Sequence, residues 1–190
     1  VITYIVTLPT IEANLARALR EALYRVLPGS VSMQTYVFAN GKLEPLPEKA
    51  KSDDVVYGAF DASGKLVGFG LLAQGPGFQD VIKSIVGYLP QDKRIVGMEV
   101  IDSRETPGLG DKIYKDKAFV ANFNELLVEP EVKLVKGTRT AKNEVVAITG
   151  ATISSRALVR NINAALAHWR PRLDTMNAPP THPSREAKTP

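Results

Sequence analysis

The feature that most constrains the fold is the order of two patterns: helix-like segments stand towards both ends of the chain, and strand-like segments fill its middle. Apolar side chains recur at helical spacing in residues 10–27 and again in residues 152–170. Thr10 is placed to cap the first helix, and Pro171 is expected to end the second. We therefore predict an α+β domain, in which a curved, largely antiparallel sheet is flanked by an N-terminal and a C-terminal amphipathic helix.

Short turn signals divide the middle of the chain into strands. An Asn-Gly dipeptide at residues 40–41 predicts a turn, and residues 61–64 separate two apolar runs in a way that predicts a β-hairpin. Gly68 and Gly70 interrupt the second run, which indicates a bulge or a close backbone approach. A short helix is expected near residues 115–127. Further strands are expected at residues 94–103, 131–137 and 143–149.

The composition excludes several kinds of chemistry. The chain has no cysteine, so disulfides, iron–sulfur ligation and thiol redox chemistry are ruled out for it. His168 and His182 are the only histidines, too few for a histidine-rich metal site. The net charge of +4 is spread along the chain without a basic run, which argues against nucleic-acid binding. If the chain performs redox chemistry, an organic cofactor has to supply it.

A serine hydrolase is a weak alternative. His168 would lie about four turns from Ser154 and Ser155 on the same predicted helix, out of reach of either hydroxyl. The sequence also lacks the G-x-S-x-G motif of a nucleophile elbow.

Both ends of the chain differ from its middle. Residues 1–9, VITYIVTLP, are apolar but far shorter than the roughly 20 residues that a membrane-spanning helix needs. They fit either a packed segment of the domain or the outer end of a membrane helix. Residues 171–190 are polar and rich in proline, which is typical of a flexible tail.

The segment TGATISS, residues 149–155, has the features of a phosphate site. A strand-like run leads into it and a helix leads out, so unpaired backbone amides and the positive end of a helix dipole should meet there. A plain helix cap built from a hydroxyl side chain is the alternative interpretation. The candidate residues are Thr149, Gly150, Ala151, Thr152, Ser154 and Ser155.

A second segment, ETPGLG at residues 105–110, has an unusual backbone path imposed by two glycines and a proline. Its amides could face a flat ligand, with Leu109 covering one face of that ligand. A tight surface loop after a strand is the alternative. The candidate residues are Glu105, Thr106, Pro107, Gly108, Leu109 and Gly110.

Four motifs in this order, TLPTIEAN, GPGFQD, ETPGLGDKI and ITGATISS, resemble the FMN-binding domain of two kinds of membrane-complex component. These are the G subunit of Rnf electron-transport complexes and the C subunit of sodium-pumping NADH:quinone reductases. The resemblance implies that FMN is joined by a phosphoester bond to Thr152 and that residues 105–110 lie by its isoalloxazine ring. It also implies that residues 1–9 are the stump of a membrane anchor and residues 10–170 the FMN-binding domain.

The function implied by the resemblance is that of an electron relay between ferredoxin and NAD in an ion-translocating complex. The partners would be the other membrane subunits, and a flavin transferase would install the FMN. The domain would stand on the periplasmic or extracytoplasmic side of the cell membrane, held by a single N-terminal anchor. We expect no catalytic residue, no metal and no free substrate, with Glu105 and Lys112 as the charges that tune the flavin.

One position departs from the motif that the resemblance supplies. Such domains usually have Asp six residues before the modified threonine, a residue thought to serve the transferase, and this chain has Val146 there. The departure puts the efficiency of flavin attachment in question. Two alternatives therefore remain beside the Rnf-type G subunit: the C subunit of a quinone reductase, and a scaffold module without flavin.

Overall fold

Helices stand towards both ends of the chain and strands fill its middle in the computed structural model, which describes residues 2–47, 50–176 and 180. The helices are α1 (Ile2–Val26), α2 (Lys112–Lys115), α3 (Lys117–Ala121) and α4 (Thr152–Leu173). The strands are β1 (Ser32–Ala39), β2 (Lys42–Pro45), β3 (Val56–Phe60), β4 (Leu66–Pro76), β5 (Val81–Leu89), β6 (Arg94–Asp102), β7 (Leu126–Leu127), β8 (Lys133–Val135) and β9 (Glu144–Val146).

Seven of these strands form one open sheet in the order β2-β1-β3-β4-β5-β6-β7, and every neighbouring pair is antiparallel. The turn predicted at residues 40–41 joins β1 to β2, and residues 61–64 join β3 to β4. The two remaining strands, β8 and β9, pair in parallel as a small separate ribbon. The α+β prediction, a largely antiparallel sheet with a helix at each end, is confirmed.

The sheet carries a hydrophobic core on each face, because successive side chains of a strand point to opposite sides. On one face α4 contributes Trp169 to a cluster with sheet residues such as Phe69 and Leu71. On the other face the end of α1 packs through Leu23 against residues such as Ile85. The sheet therefore separates the two long helices.

The end of α1 lies unusually close to the sheet because glycines replace side chains beneath it. A Cβ atom at Gly70 would overlap the Leu23 side chain, and one at Gly87 would overlap the carbonyl oxygen of Val26. The close approach predicted for residues 68 and 70 is confirmed. We call this row the glycine track; it consists of Gly68, Gly70, Gly87 and Gly97.

The first helix begins earlier than its sequence indicated. α1 starts at Ile2 and runs through Pro9 and Thr10, so the prediction that Thr10 caps the helix is wrong. A proline within a helix removes one hydrogen bond and costs about 3 kcal/mol, which weakens a helix without always ending it. Among the helices of the described residues, none is both long enough and apolar enough to cross a bilayer.

The last helix also runs further than predicted, since α4 passes through Pro171 and ends at Leu173. Leu173 is buried in the core, and the amide of Asp174 still donates to the carbonyl of Arg170. Burial of one more apolar side chain thus offsets the hydrogen bond that Pro171 cannot make. Of the predicted tail, residues 177–179 and 181–190 lie outside the described residues, so its flexibility stays a prediction.

The short helix expected near residues 115–127 is two shorter helices, of which the first begins before 115 and the second ends at Ala121. α2 starts at Lys112, and the extended backbone of Asp116 (φ −78°, ψ 105°) separates it from α3. The Asp116 carboxylate accepts hydrogen bonds from the amides of Ala118 (2.9 Å) and Phe119 (3.1 Å). Asp116 therefore ends one helix and caps the next, which helical periodicity alone does not show.

Candidate functional site

The turn before α4 has the geometry of an anion site and differs from a hydroxyl-capped helix start. The capping residue is Ala151, which has no side-chain cap (φ −132°, ψ 32°). Gly150 adopts φ +83° with open space where a side chain would stand. The Thr152 hydroxyl is half-buried, and its bond to the carbonyl of Ile148 is long, at 3.4 Å. This hydroxyl is therefore only weakly held.

The first amides of α4 are available to a ligand. The amide of Ser155 donates to the carbonyl of Ala151. Those of Thr152, Ile153 and Ser154 stand in the first turn, where a helix has no acceptors of its own, and no other described residue accepts from them. Three free donors at the positive end of a 22-residue helix favour a phosphate group.

The serine hydroxyls after Thr152 point into the fold. Ser155 donates to the carbonyl of Ala151 at 2.9 Å and accepts from the amide of Ile148 at 3.2 Å. Ser154 donates to the Glu105 carboxylate in a short hydrogen bond. Both serines are buried, so their hydroxyls are occupied within the fold, although the sequence made Ser154 and Ser155 candidates for the phosphate site. Thr149 and Gly150, in contrast, are exposed.

A buried carboxylate, Glu105, joins three loops at this site. Its Oε1 accepts from the amides of Phe78 (2.7 Å) and Gln79 (3.0 Å), and its Oε2 accepts from Ser154. Glu105 is 5% exposed, and a buried carboxylate is stable only when it is well bonded in this way. Glu105 thus fastens the loops, a role different from the expected tuning of a flavin by its charge.

The loop of residues 105–110 turns tightly over this carboxylate. The carbonyl of Thr106 accepts from the amides of Leu109 and Asp111, and Gly108 adopts φ +79°. Pro107 and Gly108 are exposed, as is Leu109. The turn therefore presents an apolar side chain to solvent at the rim of the site.

The start of α2 is held beside this loop by an ion pair. Asp111 is buried, and Lys115 contacts its carboxylate at 2.6 Å. The hydrogen bond from Lys115 is the main reason that the pKa of Asp111 is lowered from its usual value. Because Asp111 keeps its charge, it fixes α2 and thereby the neighbouring Lys112.

An open groove of about 740 Å³ lies next to the TGAT turn. α2 and α3 form one wall, with Lys112 and Phe119, and residues 146–149 form the other. Its volume is within the range of roughly 300–1,000 Å³ typical of ligand sites. Val146, the position that departs from the usual motif, is a half-buried part of this wall.

Among the described residues, the serine and histidine side chains that a hydrolase would need lie far apart. His168 contacts Asp54 at 2.5 Å, and 14 positions along α4 separate it from Ser154, about 20 Å at the helical rise. Within the part of the chain that the structure describes, no group of three potential metal ligands lies together.

Sequence patterns alone missed the contribution of the GPGFQD loop. Phe78 and Gln79 are bonded to Glu105, and the Arg160 guanidinium donates to the carbonyl of Pro76. Gly77 is a signal in that loop, because a side chain there would overlap the Glu105 carboxylate. The structure therefore brings together three loops where the sequence had singled out two.

The comparisons with known proteins agree with this geometry. A family model described as FMN-binding domain matches residues 77–167, a range that contains Phe78, Glu105 and Thr152 and begins after Gly75 and Pro76 of the GPGFQD loop. A solved structure, the C subunit of the Na⁺-translocating NADH-quinone reductase from Parabacteroides distasonis, shares the fold with a TM-score of 0.66. It is 19% identical, and the match covers 90% of this chain and 98% of that one. Residues 77–167 thus match an FMN-binding domain, in a chain that shares the fold of this C subunit.

Two relatives show which kind of FMN-binding protein this chain is similar to. The G subunit of the ion-translocating oxidoreductase complex of Methanosarcina acetivorans is 30% identical over 172 residues, 87% of this chain and 82% of the relative. The G subunit of the proton-translocating ferredoxin:NAD(+) oxidoreductase complex of Clostridium ljungdahlii is 25% identical over 162 residues, 83% of this chain and 85% of the relative. The chain belongs to the family of G subunits of ion-translocating oxidoreductase complexes. The preference for the Rnf-type G subunit over the quinone-reductase C subunit is confirmed.

Proposed function

We propose that this chain is the electron-relay subunit of a membrane-bound, ion-translocating ferredoxin:NAD oxidoreductase complex, and that it carries FMN as a phosphoester on Thr152. The observation that carries the proposal is the state of the Thr152 side chain. Its hydroxyl is only weakly bonded, and it opens the helix whose first amides are free. A phosphate attached there would receive the hydrogen bonds that those amides lack.

The residues around Thr152 fit the phosphodiester monoanion that joins FMN to a threonine. Arg156 is exposed one helical turn after Thr152, and Lys112 lines the groove beside Thr149. Both cations add to the positive end of the α4 dipole. The open space at Gly150 leaves room for the ester linkage. When bound, FMN would supply one- and two-electron redox chemistry, which this cysteine-free chain has no other group to provide.

Attachment of the FMN requires a separate transferase. The Thr152 hydroxyl donates to the carbonyl of Ile148, and a carbonyl oxygen is no general base for removing its proton. With FAD as donor, a bond forms between the threonine oxygen and the phosphorus of the FMN half. The pyrophosphate bond breaks, and AMP leaves while the hydroxyl proton passes to the transferase. Thr152 is thus a modified residue and takes no part in turnover.

The protein holds the loops beside the flavin in place. Glu105 fixes the turn of residues 105–110, so Leu109 is presented from a rigid backbone. The ion pair of Asp111 with Lys115 holds the start of α2, and Lys112 beside it lines the groove and could act on the flavin by its charge. Through these contacts the chain would orient the cofactor and set its electrostatic surroundings.

We also propose that the chain works beside the other membrane subunits of such a complex, on the periplasmic or extracytoplasmic side. Its G-subunit relatives carry the names of ion-translocating complexes. Residues 1–9 would be the outer end of an N-terminal anchor. The unbroken course of α1 from Ile2 supports this, because an anchor helix could continue directly into the domain.

The test is the intact mass of the protein after co-expression with a flavin transferase. The natural chain should gain the mass of FMN less one water, and Thr152→Ala should gain nothing. Thr149→Ala is the matched control, since it removes an exposed hydroxyl of the same turn and should still be modified.

Two other outcomes would contradict the proposal. Loading of Thr152→Ala would place the flavin elsewhere. A natural chain that stays colourless while another G subunit is loaded by the same transferase would favour the flavin-free scaffold.

A further inference from the structure

Three large apolar side chains are exposed around the site. Phe78 is 60% exposed, Leu109 53% and Ile153 56%. Each belongs to a different one of the three loops: Phe78 to GPGFQD, Leu109 to ETPGLG and Ile153 to the start of α4. Single exposed apolar residues are common on protein surfaces, but a group that converges from three loops indicates a binding surface.

One carboxylate brings the three side chains together. The amide of Phe78 donates to Glu105, Ser154 beside Ile153 donates to the same carboxylate, and Gly110 beside Leu109 packs directly against it. Glu105 itself is buried, so the three exposed side chains stand on backbone segments that meet at one buried carboxylate.

The loop that carries Phe78 is rigid. The amide of Gly77 donates to the carbonyl of Asp80 at 2.7 Å, and Arg160 on α4 binds the carbonyl of Pro76. An aromatic ring presented from a fixed backbone loses little conformational entropy when a ligand packs on it.

We propose that Phe78 packs against the isoalloxazine ring of the FMN on Thr152, completing with Leu109 and Ile153 an apolar seat for that ring. The inference rests on the proposed function, because it requires FMN on Thr152. The occupant is assigned from position: Ile153 follows Thr152 directly, so a ring tethered there reaches this surface before any partner protein does. Flat aromatic systems stack favourably on phenylalanine.

The experiment introduces tyrosine at the proposed contact. A tyrosine ring that touches an excited flavin quenches its fluorescence by electron transfer, so Phe78→Tyr should make the loaded protein severalfold dimmer. All variants carry Tyr114→Phe, which removes an exposed tyrosine near the site. Val31→Tyr is the matched control, because Val31 is equally exposed, at 60%, on the segment between α1 and β1. Intact mass shows in each case whether FMN is attached.

Four results are informative. Dimming by Phe78→Tyr with a bright Val31→Tyr protein supports the contact. A loaded Phe78→Tyr protein as bright as the control overturns it, and dimming by Ala118→Tyr instead would place the ring in the groove that Ala118 lines. Absence of FMN from every variant by mass would be a failure of the proposed function itself.

Discussion

Glu105 shows how a single side chain can organise a cofactor site without touching the chemistry. Its two oxygens bind two amides of one loop and a hydroxyl of another. In the sequence its charge suggested a tuner of the flavin. In the structure Glu105 is buried under three loops and its oxygens accept hydrogen bonds from neighbouring residues. Its role is therefore to hold these loops together.

Removing this carboxylate should destabilise the site. Glu105→Ala leaves the amides of Phe78 and Gln79 and the Ser154 hydroxyl without their acceptor, which should cost about 1–3 kcal/mol. Glu105→Gln keeps one acceptor oxygen and should cost less. Urea unfolding gives the free energies, and hydrogen exchange should show faster exchange at residues 78 and 79. Equal stability of the alanine variant and the natural chain would contradict the fastening role.

Val146 offers a second test at the residue scale. It is half-buried in a groove that Lys112 and Lys115 also line, so a carboxylate there would find cations nearby. We expect Val146→Asp to fold and to take up FMN faster than the natural chain when a transferase is supplied. The measurement is the loaded fraction over time by intact mass.

Val146→Asn is the control for that variant, since it matches the shape of aspartate without its charge. Faster loading by both variants would show that polarity alone matters at this position. Unchanged loading by Val146→Asp would show that the valine does not restrict modification.

At the scale of the elements, the ends of helices were the hardest features to predict. Periodicity located α1 and α4, but α1 begins eight residues before Thr10 and α4 ends beyond Pro171. Rules based on local sequence consider only the effect of a proline on its own turn of the helix. In α4 the outcome depends on Leu173, whose burial against distant parts of the chain no local pattern reveals.

The end of α4 is also tied to the sheet by a partly buried hydrogen bond. The hydroxyl of Tyr88 on β5 donates to the Asp174 carboxylate at 2.6 Å. Burial, followed by this bond and the charge of Asp174, raises the pKa of Tyr88 well above its usual value. Its contribution to stability is therefore complete below the unfolded-state pKa of about 10 and is lost as the pH rises past it.

Tyr88→Phe should consequently lower the unfolding free energy by about 1 kcal/mol at pH 8, the typical net value of a hydrogen bond. The gap between this variant and the natural chain should shrink at pH 11. Urea unfolding at the two pH values measures it, with Tyr114→Phe as an exposed control. A gap that is the same at both pH values would contradict the linkage.

At the scale of the molecule, the sequence was sufficient for the architecture and for two of the three loops. Turn dipeptides and alternating runs are local signals, so the hairpins and the sheet with its two helices followed from them. The meeting of Phe78, Glu105 and Ser154 did not, because residues 26 to 49 positions apart come together only through the order of strands in the sheet. Glycine at positions 77 and 110 is consistent with that contact, because a side chain at either position would overlap it. A glycine in the sequence does not show which residue lies beside it.

The glycine track gives the molecule a mechanical property. At most helix–sheet interfaces side chains separate the two backbones and can deform when a force is applied. Here the carbonyl of Val26 lies directly on Gly87, and its Cα lies close over Gly97. A force applied to α1 would therefore be transmitted to strands β5 and β6 through direct backbone contact. The helix and the sheet would move together.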